Sequence, residues 1–277
     1  MGSDRLITHQ LRQYESSYRT AESEYGFPDR KIADGATLRG KRLLSVGSGT
    51  ASDLWYLAPD NLIVAADYSP AGLTVARRHG VLGLLTDLNM RPSLPFRDQS
   101  FDIVICKDIL EHLVEPIEVL WEVRRVLRND GYAIINVPNH FYWRMRFRLL
   151  LGKGLIYRAI GADHAREYEE WNYMHMRFFT FKGFQRFLGV AGFHSEKWFW
   201  DFGTLAHYCN PDMWLEPQRW KKATGSPIST RGRFGLYVLA PLWKLLNGVL
   251  PPSLRGHLVG LAPGLFCASF YVRVRKA

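Results

Sequence analysis

The run Leu43-Leu44-Ser45-Val46 breaks into Gly47-Ser48-Gly49-Thr50-Ala51, and this stretch constrains the fold more than any other. Apolar residues that stop at a glycine turn read as a buried strand, and a helix is predicted to start at Thr50 or Ala51. A side chain on Gly47 or Gly49 would hold a ligand away from the backbone, whereas N–H groups freed at a helix start attract an anion or a carboxylate. Gly47, Ser48 and Gly49 are therefore candidate cofactor-binding residues.

Residues 61–66 read as a second buried strand that ends at Asp67-Tyr68, with Asp67 twenty positions after Gly47. In a doubly wound sheet a carboxylate there can accept hydrogen bonds from both ribose hydroxyls, which points to a nucleoside-containing cofactor. A third strand over residues 81–85 ends in Thr86-Asp87-Leu88, where a second carboxylate can read an adenine amino group. The dinucleotide fingerprint wants Gly or Ala where this chain has Ser52.

Downstream stand Leu94-Pro95-Phe96-Arg97-Asp98-Gln99-Ser100-Phe101-Asp102 and Lys107-Asp108-Ile109-Leu110-Glu111-His112-Leu113. With these motifs the chain resembles the class I S-adenosylmethionine-dependent methyltransferases, in the subgroup with the LPF-x-D-x-SFD and LEHL patterns. The stretch His175-Met176-Arg177-Phe178-Phe179-Thr180 followed by Ala191-Gly192-Phe193 is a second resemblance, to methyltransferases of cell-envelope glycan and natural-product pathways. Together they cover roughly residues 40–195.

The resemblance implies an α/β fold: a doubly wound, Rossmann-like, seven-stranded, mostly parallel sheet with an antiparallel last strand and a helical lid or insertion. It implies S-adenosylmethionine as cofactor, with Gly47 and Gly49 along its methionine part, Asp67 on the ribose and Asp87 and Leu88 flanking the adenine. Lys107 and Asp108 would close the pocket after the fourth strand. The chain departs from the family at Ser45, where an acidic residue is usual, and at Ala51, where a glycine is usual.

The remaining elements follow from pattern. A helix is predicted over residues 4–25, with Tyr14 and Tyr18 as candidates to cover the cofactor or contact substrate. Ser69-Pro70 should start a helix that ends at Gly80, and Glu115-Pro116 one that Asn129-Asp130-Gly131 terminates. Residues 132–137 read as the fifth strand, a helix capped by Thr180 should end near Gly192, and residues 194–200 and 266–275 read as the last two strands. The domain division expected is a helical cap at 1–40, a Rossmann-like domain at 41–202 and 264–277 with a lid segment at 141–170, and a helical insertion at 203–263.

Charge bears on partners. Residues 1–140 hold 16 Lys and Arg against 18 Asp and Glu, whereas residues 141–277 hold 20 against 8, so the basic excess lies outside the cofactor half. Either a solvated basic face or an acidic partner accounts for it. The mixture of aromatic and cationic residues at 141–150 suits the surface of an anionic membrane, and no RNA-binding module is appended that would favour nucleic acid. Cys106, Cys209 and Cys267 are widely spaced, so neither a disulfide framework nor a zinc cluster is suggested, and a cytoplasmic location, with peripheral contact at the inner membrane face, is expected.

For a hydroxyl acceptor the reaction needs alignment and a base. His140 and His175 are the first candidates and His112 the next, while Tyr173 and Arg177 can orient an acidic or hydroxylated substrate. No group of Asp, Glu and His at ligand spacing is visible, so no metal is assigned. The leading expectation is O-methylation of a small-molecule, glycan or lipid-linked acceptor; a non-catalytic, membrane-associated binding protein on the same scaffold and a dinucleotide-dependent dehydrogenase are the competing readings.

Overall fold

Strand β1 (Arg42–Val46) lies at the centre of a seven-stranded sheet in the order β3-β2-β1-β4-β5-β7-β6. The computed structural model describes residues 28–152, 175–200 and 252–277. The predicted 4–25 helix and most of the 203–263 insertion lie outside the described residues. β1 runs parallel to β2 (Leu62–Asp67) on one side and β4 (Phe101–Lys107) on the other, and β3 (Leu82–Leu85) and β5 (Leu127–Pro138) extend the parallel part outward. β7 (Ser269–Lys276) is antiparallel to both of its neighbours, β5 and β6 (Phe193–Trp198). Six strands thus share a direction and the last opposes them, the architecture the motifs imply.

Both faces of the sheet are apolar, as a parallel sheet flanked by helices requires. Alternation sends Leu44, Val46, Val64, Val104 and Cys106 to one face, against Val119, Leu120 and Val123 of helix α2 (Pro116–Val126) and Phe184 and Leu188 of α4 (Phe181–Val190). Leu43, Ile63, Ala65, Ile103 and Ile105 take the other face, against Leu54, Leu57 and the Leu73–Ala76 side of α1 (Pro70–Arg78). Helix α3 (Trp143–Leu150) follows β5, and α5 (Pro252–Leu261) and α6 (Pro263–Phe266) precede β7. The caps fall where expected: Ser69 Oγ accepts from Gly72 N at 3.1 Å, and Thr180 Oγ1 accepts from Gly183 N at 3.1 Å.

Two elements differ from the sequence expectation. No α-helix starts at Thr50 or Ala51; the chain turns and then forms only a 3-10 segment, Trp55–Asp60. Ala51 has φ +51°, which a right-handed helix cannot contain, and Pro59 inside the segment offers no N–H. The attraction of an anion to a helix start is therefore not available at this turn. Likewise Asn129-Asp130-Gly131 does not end a helix. β5 begins at Leu127, directly after α2, and Gly131 lies within it. A Cβ on Gly131 would lie 2.5 Å from the Asp102 carbonyl oxygen, beside the register shift between Phe101 and Ile103, so close approach of β4 accounts for this glycine.

Candidate cofactor and acceptor site

The strand order reverses between β1 and β4, and the loops beyond the C-terminal ends of the parallel strands meet there. On the β1 side, Gly47 and Gly49 both have positive φ, +66° and +52°. Gly47 N and Ser48 N donate to Ala66 O at 2.8 and 3.3 Å, so the turn is tied to the end of β2. Any side chain at Gly47 would collide with Ile109, whose Cγ1 lies 2.4 Å from the position of a Cβ. Asp67 is only 5% exposed; its Oδ2 accepts from Gly49 N at 2.7 Å and its Oδ1 from Ser69 N at 2.8 Å. One carboxylate therefore fixes both the glycine turn and the start of α1. The Ser48 hydroxyl beside it is buried without a hydrogen-bond partner in the described structure. Tyr68 is half-buried next to Asp67, and Leu88, at the end of the third strand, is in the core while Asp87 Oδ1 accepts from Asn89 N at 2.9 Å.

Lys107, at the C-terminal end of β4, is bound into a cluster that the sequence does not reveal. Its Nζ donates to Asp29 Oδ2 at 2.5 Å and to Asp53 Oδ2 at 2.9 Å, and Tyr271 of β7 donates its phenol to the same Asp29 oxygen at 2.8 Å. Burial opposes the Asp29 charge, but the Lys107 ammonium and the two hydrogen bonds outweigh it and hold the carboxyl below its ordinary range. Burial likewise pulls Lys107 down and the carboxylates of Asp53 and Asp29 more than compensate, so the amine is raised. The backbone joins in: Asp29 N donates to Asp53 O at 3.1 Å. Lys107 therefore braces the segment after Gly49 from below. Its neighbour Asp108, at φ +49°, accepts from Asn136 Nδ2 at 2.8 Å, and burial raises its carboxyl.

Three histidines gather on the β4–β5 side. His112 follows β4 and His140 follows β5, and since these strands are neighbours their loops are adjacent. His175 comes from a distant segment that is docked by its backbone: Met176 N and Arg177 N both donate to Glu111 O, at 2.7 and 3.2 Å. The Arg177 guanidinium donates to Val114 O, which tightens the same contact. His140 Nε2 and His175 Nδ1 share a proton across 2.7 Å, and the His112 and His175 rings meet edge-on at 4.6 Å. Burial, followed by the neighbouring His112, lowers His140 to about 4 and His175 to about 3, so both imidazoles are neutral near pH 7. His140 is held by its neighbour Asn139, whose amide donates to Cys267 O at 2.7 Å and Gly264 O at 3.1 Å.

Glu111, unassigned in the sequence reading, lies under this group. It is 1% exposed, burial pushes its carboxyl up to about 8, and its Oε2 has no hydrogen-bond partner in the described structure. Its signal was its place in the LEHL motif beside His112. Tyr14, Tyr18 and Tyr173 lie outside the described residues.

Residues 44–135 match the family described as a methyltransferase domain. A ubiquinone biosynthesis O-methyltransferase of Roseobacter denitrificans is 26% identical over 175 residues, 59% of this chain and 65% of that protein. A demethylmenaquinone methyltransferase of Clavibacter sepedonicus is 36% identical over 107 residues, 36% of this chain and 42% of that protein. The chain therefore spans less than two thirds of the length of either relative. Among solved structures, a chain of a complex of the Haloferax volcanii Trm112 methyltransferase activator aligns with a TM-score of 0.54 at 14% identity, covering 96% of this chain and 95% of that one. A TehB-like S-adenosylmethionine-dependent methyltransferase of Corynebacterium glutamicum aligns with a TM-score of 0.50 at 14% identity, covering 98% and 100%. At these identities the structural likeness is one of fold.

Proposed function

We propose that this chain, a protein with a methyltransferase domain at residues 44–135, moves a methyl group from S-adenosylmethionine to an oxygen of a small-molecule, glycan or lipid-linked acceptor. S-adenosylmethionine is the cofactor that the domain match implies, and it supplies an electrophilic methyl group on a sulfonium. The observation that carries the reading is the Asp67 carboxylate locked between Gly49 N and Ser69 N. A carboxylate fixed in that position at the end of β2 is suited to ribose hydroxyls, and the buried Ser48 hydroxyl next to it has no hydrogen-bond partner in the described structure, which a polar ligand can provide. Asp87 and Leu88 would border the adenine from the end of β3.

The acceptor side is the cluster of His112, His140 and His175. The neutral imidazoles of His140 and His175 can take the proton of an acceptor hydroxyl, and the hydrogen bond between them spreads the charge that results. Arg177 would orient an acidic or hydroxylated acceptor from the same segment. By their names one relative is an O-methyltransferase of ubiquinone biosynthesis and the other a demethylmenaquinone methyltransferase, which supports an apolar or lipid-linked acceptor. Calorimetric titration with S-adenosylhomocysteine, the reaction product, tests the cofactor half. Micromolar binding is expected, and no heat of binding to the folded chain would overturn the reading.

A second, compatible reading concerns location. Trp143, Phe147 and Leu150 of α3 stand at i, i+4 and i+7 and are 42%, 58% and 84% exposed, forming an apolar stripe, while Tyr142 and Met145 anchor the helix to the body. No helix among the described residues is long and apolar enough to cross a membrane. The stripe and the basic second half of the sequence favour peripheral contact with an anionic membrane. Co-sedimentation with phosphatidylglycerol vesicles is expected, with at least a several-fold loss in the Phe147→Glu, Leu150→Glu double variant. Equal sedimentation of both proteins would remove α3 from the contact.

A further inference from the structure

The sequence places no group of metal-binding residues at ligand spacing, but the fold assembles one. Glu111, His112 and His175 each present a ligand atom, and these atoms all lie within 4.8 Å of one another. Ligands of one tetrahedral zinc ion lie about 3.4 Å apart, so side-chain rotation of about an ångström completes the set. Three features make this more than a chance encounter. His175 is held to the Glu111 backbone by the hydrogen bonds from Met176 N and Arg177 N, so the two ligand-bearing segments are fastened at the ligands themselves. Glu111 is 99% buried, and its Oε2 has no hydrogen-bond partner in the described structure. A buried carboxyl oxygen left in that condition is unfavourable, and a cation would satisfy it.

The third feature is the outer partner. A ligating histidine usually donates its second ring N–H to a neighbouring acceptor, which fixes its tautomer. His175 Nδ1 lies 2.7 Å from His140 Nε2, within hydrogen-bond distance. His140 is then the group that orients the ligand, held in turn by Asn139 and the α6 loop.

We propose that Glu111, His112 and His175 bind a divalent transition ion of the zinc class, with a coordination position left open toward the acceptor side of the site. Two imidazoles and one carboxylate suit zinc, cobalt or nickel better than magnesium or calcium, which prefer oxygen alone. Two histidines, one glutamate and an open position are also a donor set found where zinc activates an oxygen ligand. An ion here would lower the pKa of an acceptor hydroxyl bound to it, in place of proton uptake by His112 or His175, whose lone pairs it occupies. That role rests on the methyl-transfer reading above; the ion site does not.

The test uses the full chain, stripped with a chelator, loaded with zinc chloride, desalted and assayed for bound metal by mass spectrometry, with calorimetric titration of zinc alongside. About one ion per chain is expected, with at least a tenfold loss of affinity in His175→Ala and in Glu111→Gln and no change in the exposed-histidine control His194→Ala. Circular dichroism checks that each variant is folded. His112→Ala serves as the second ligand variant should Glu111→Gln fail to fold. Loading with cobalt should give visible d–d absorption in the wild type that His175→Ala abolishes. No retained ion in the wild type, or equal retention in folded His175→Ala and His112→Ala, would overturn the site. Failure to bind S-adenosylhomocysteine would instead overturn the methyl-transfer reading and leave a positive metal result standing.

Discussion

Asp67→Asn is expected to weaken binding of S-adenosylhomocysteine by at least about 100-fold, from two charge-assisted hydrogen bonds each contributing about 1.5–3 kcal/mol and about 1.4 kcal/mol for each tenfold. The substitution is nearly isosteric, yet it is not mild here. Both Asp67 oxygens accept backbone N–H groups, from Gly49 and from Ser69, and asparagine offers only one oxygen. Its amide NH2 would face one of those donors, so either the glycine turn or the start of α1 must shift. The ribose would also meet a neutral side chain in place of a carboxylate. His175→Ala should change the same affinity little, because His175 lies on the β4–β5 side. Calorimetry on both variants decides the matter, and comparable losses in the two would break the division of the site into cofactor and acceptor halves.

The second large effect concerns Lys107→Met, which should destabilise the fold by about 3 kcal/mol, the lower end for breaking a buried ion pair. The lower end applies because Lys107, Asp29 and Asp53 are 19%, 15% and 24% exposed, so water screens the cluster in part. In a chain of 277 residues that corresponds to a fall in Tm of roughly 6–10 °C. Asp29→Asn and Asp53→Asn added to Lys107→Met should recover most of the loss, since the damage is two carboxylates left without their cation. The Asp29 carboxyl is depressed in the folded protein, so its contribution is present above the ordinary carboxylate pKa and is lost as pH falls through the depressed value. The gap between wild type and Lys107→Met should therefore be widest near neutrality and narrow on acidification below pH of about 4. Scanning calorimetry across pH measures it, and a gap that widens in acid would refute the account.

These two cases show what the sequence could and could not disclose. The order of strands, the glycine turn and the placing of Asp67 at the end of β2 are local or near-local features, written in periodicity and in one interval of twenty residues. His112 and His140 converge because consecutive parallel strands carry them, which pattern also conveys. The Lys107 cluster is different: its contacts span 54, 78 and 242 residues, and each partner looks like an ordinary solvated side chain along the chain. The helix expected at Thr50 failed for a backbone reason, the left-handed Ala51, that composition does not signal. The ligand group of Glu111, His112 and His175 was hidden because spacing was judged along the chain, whereas two backbone hydrogen bonds create the proximity.

The position of β7 has a consequence for how the molecule is made. It lies between β5 and β6, and among the described strands β6 pairs with β7 alone. During synthesis β6 emerges about 70 residues before its partner, roughly 4–14 s at translation rates of about 5–20 residues per second. Throughout that interval the β5 edge that β7 covers stays open, and β6 lacks the strand it pairs with. Tyr271 also travels on β7, so the hydrogen bond that completes the Asp29 cluster beneath the cofactor turn forms only after the last strand is threaded in. The nascent chain therefore passes through a period of exposure to chaperones and to wrong strand partners, and the sheet and the brace under the glycine turn are completed together when β7 enters between β5 and β6.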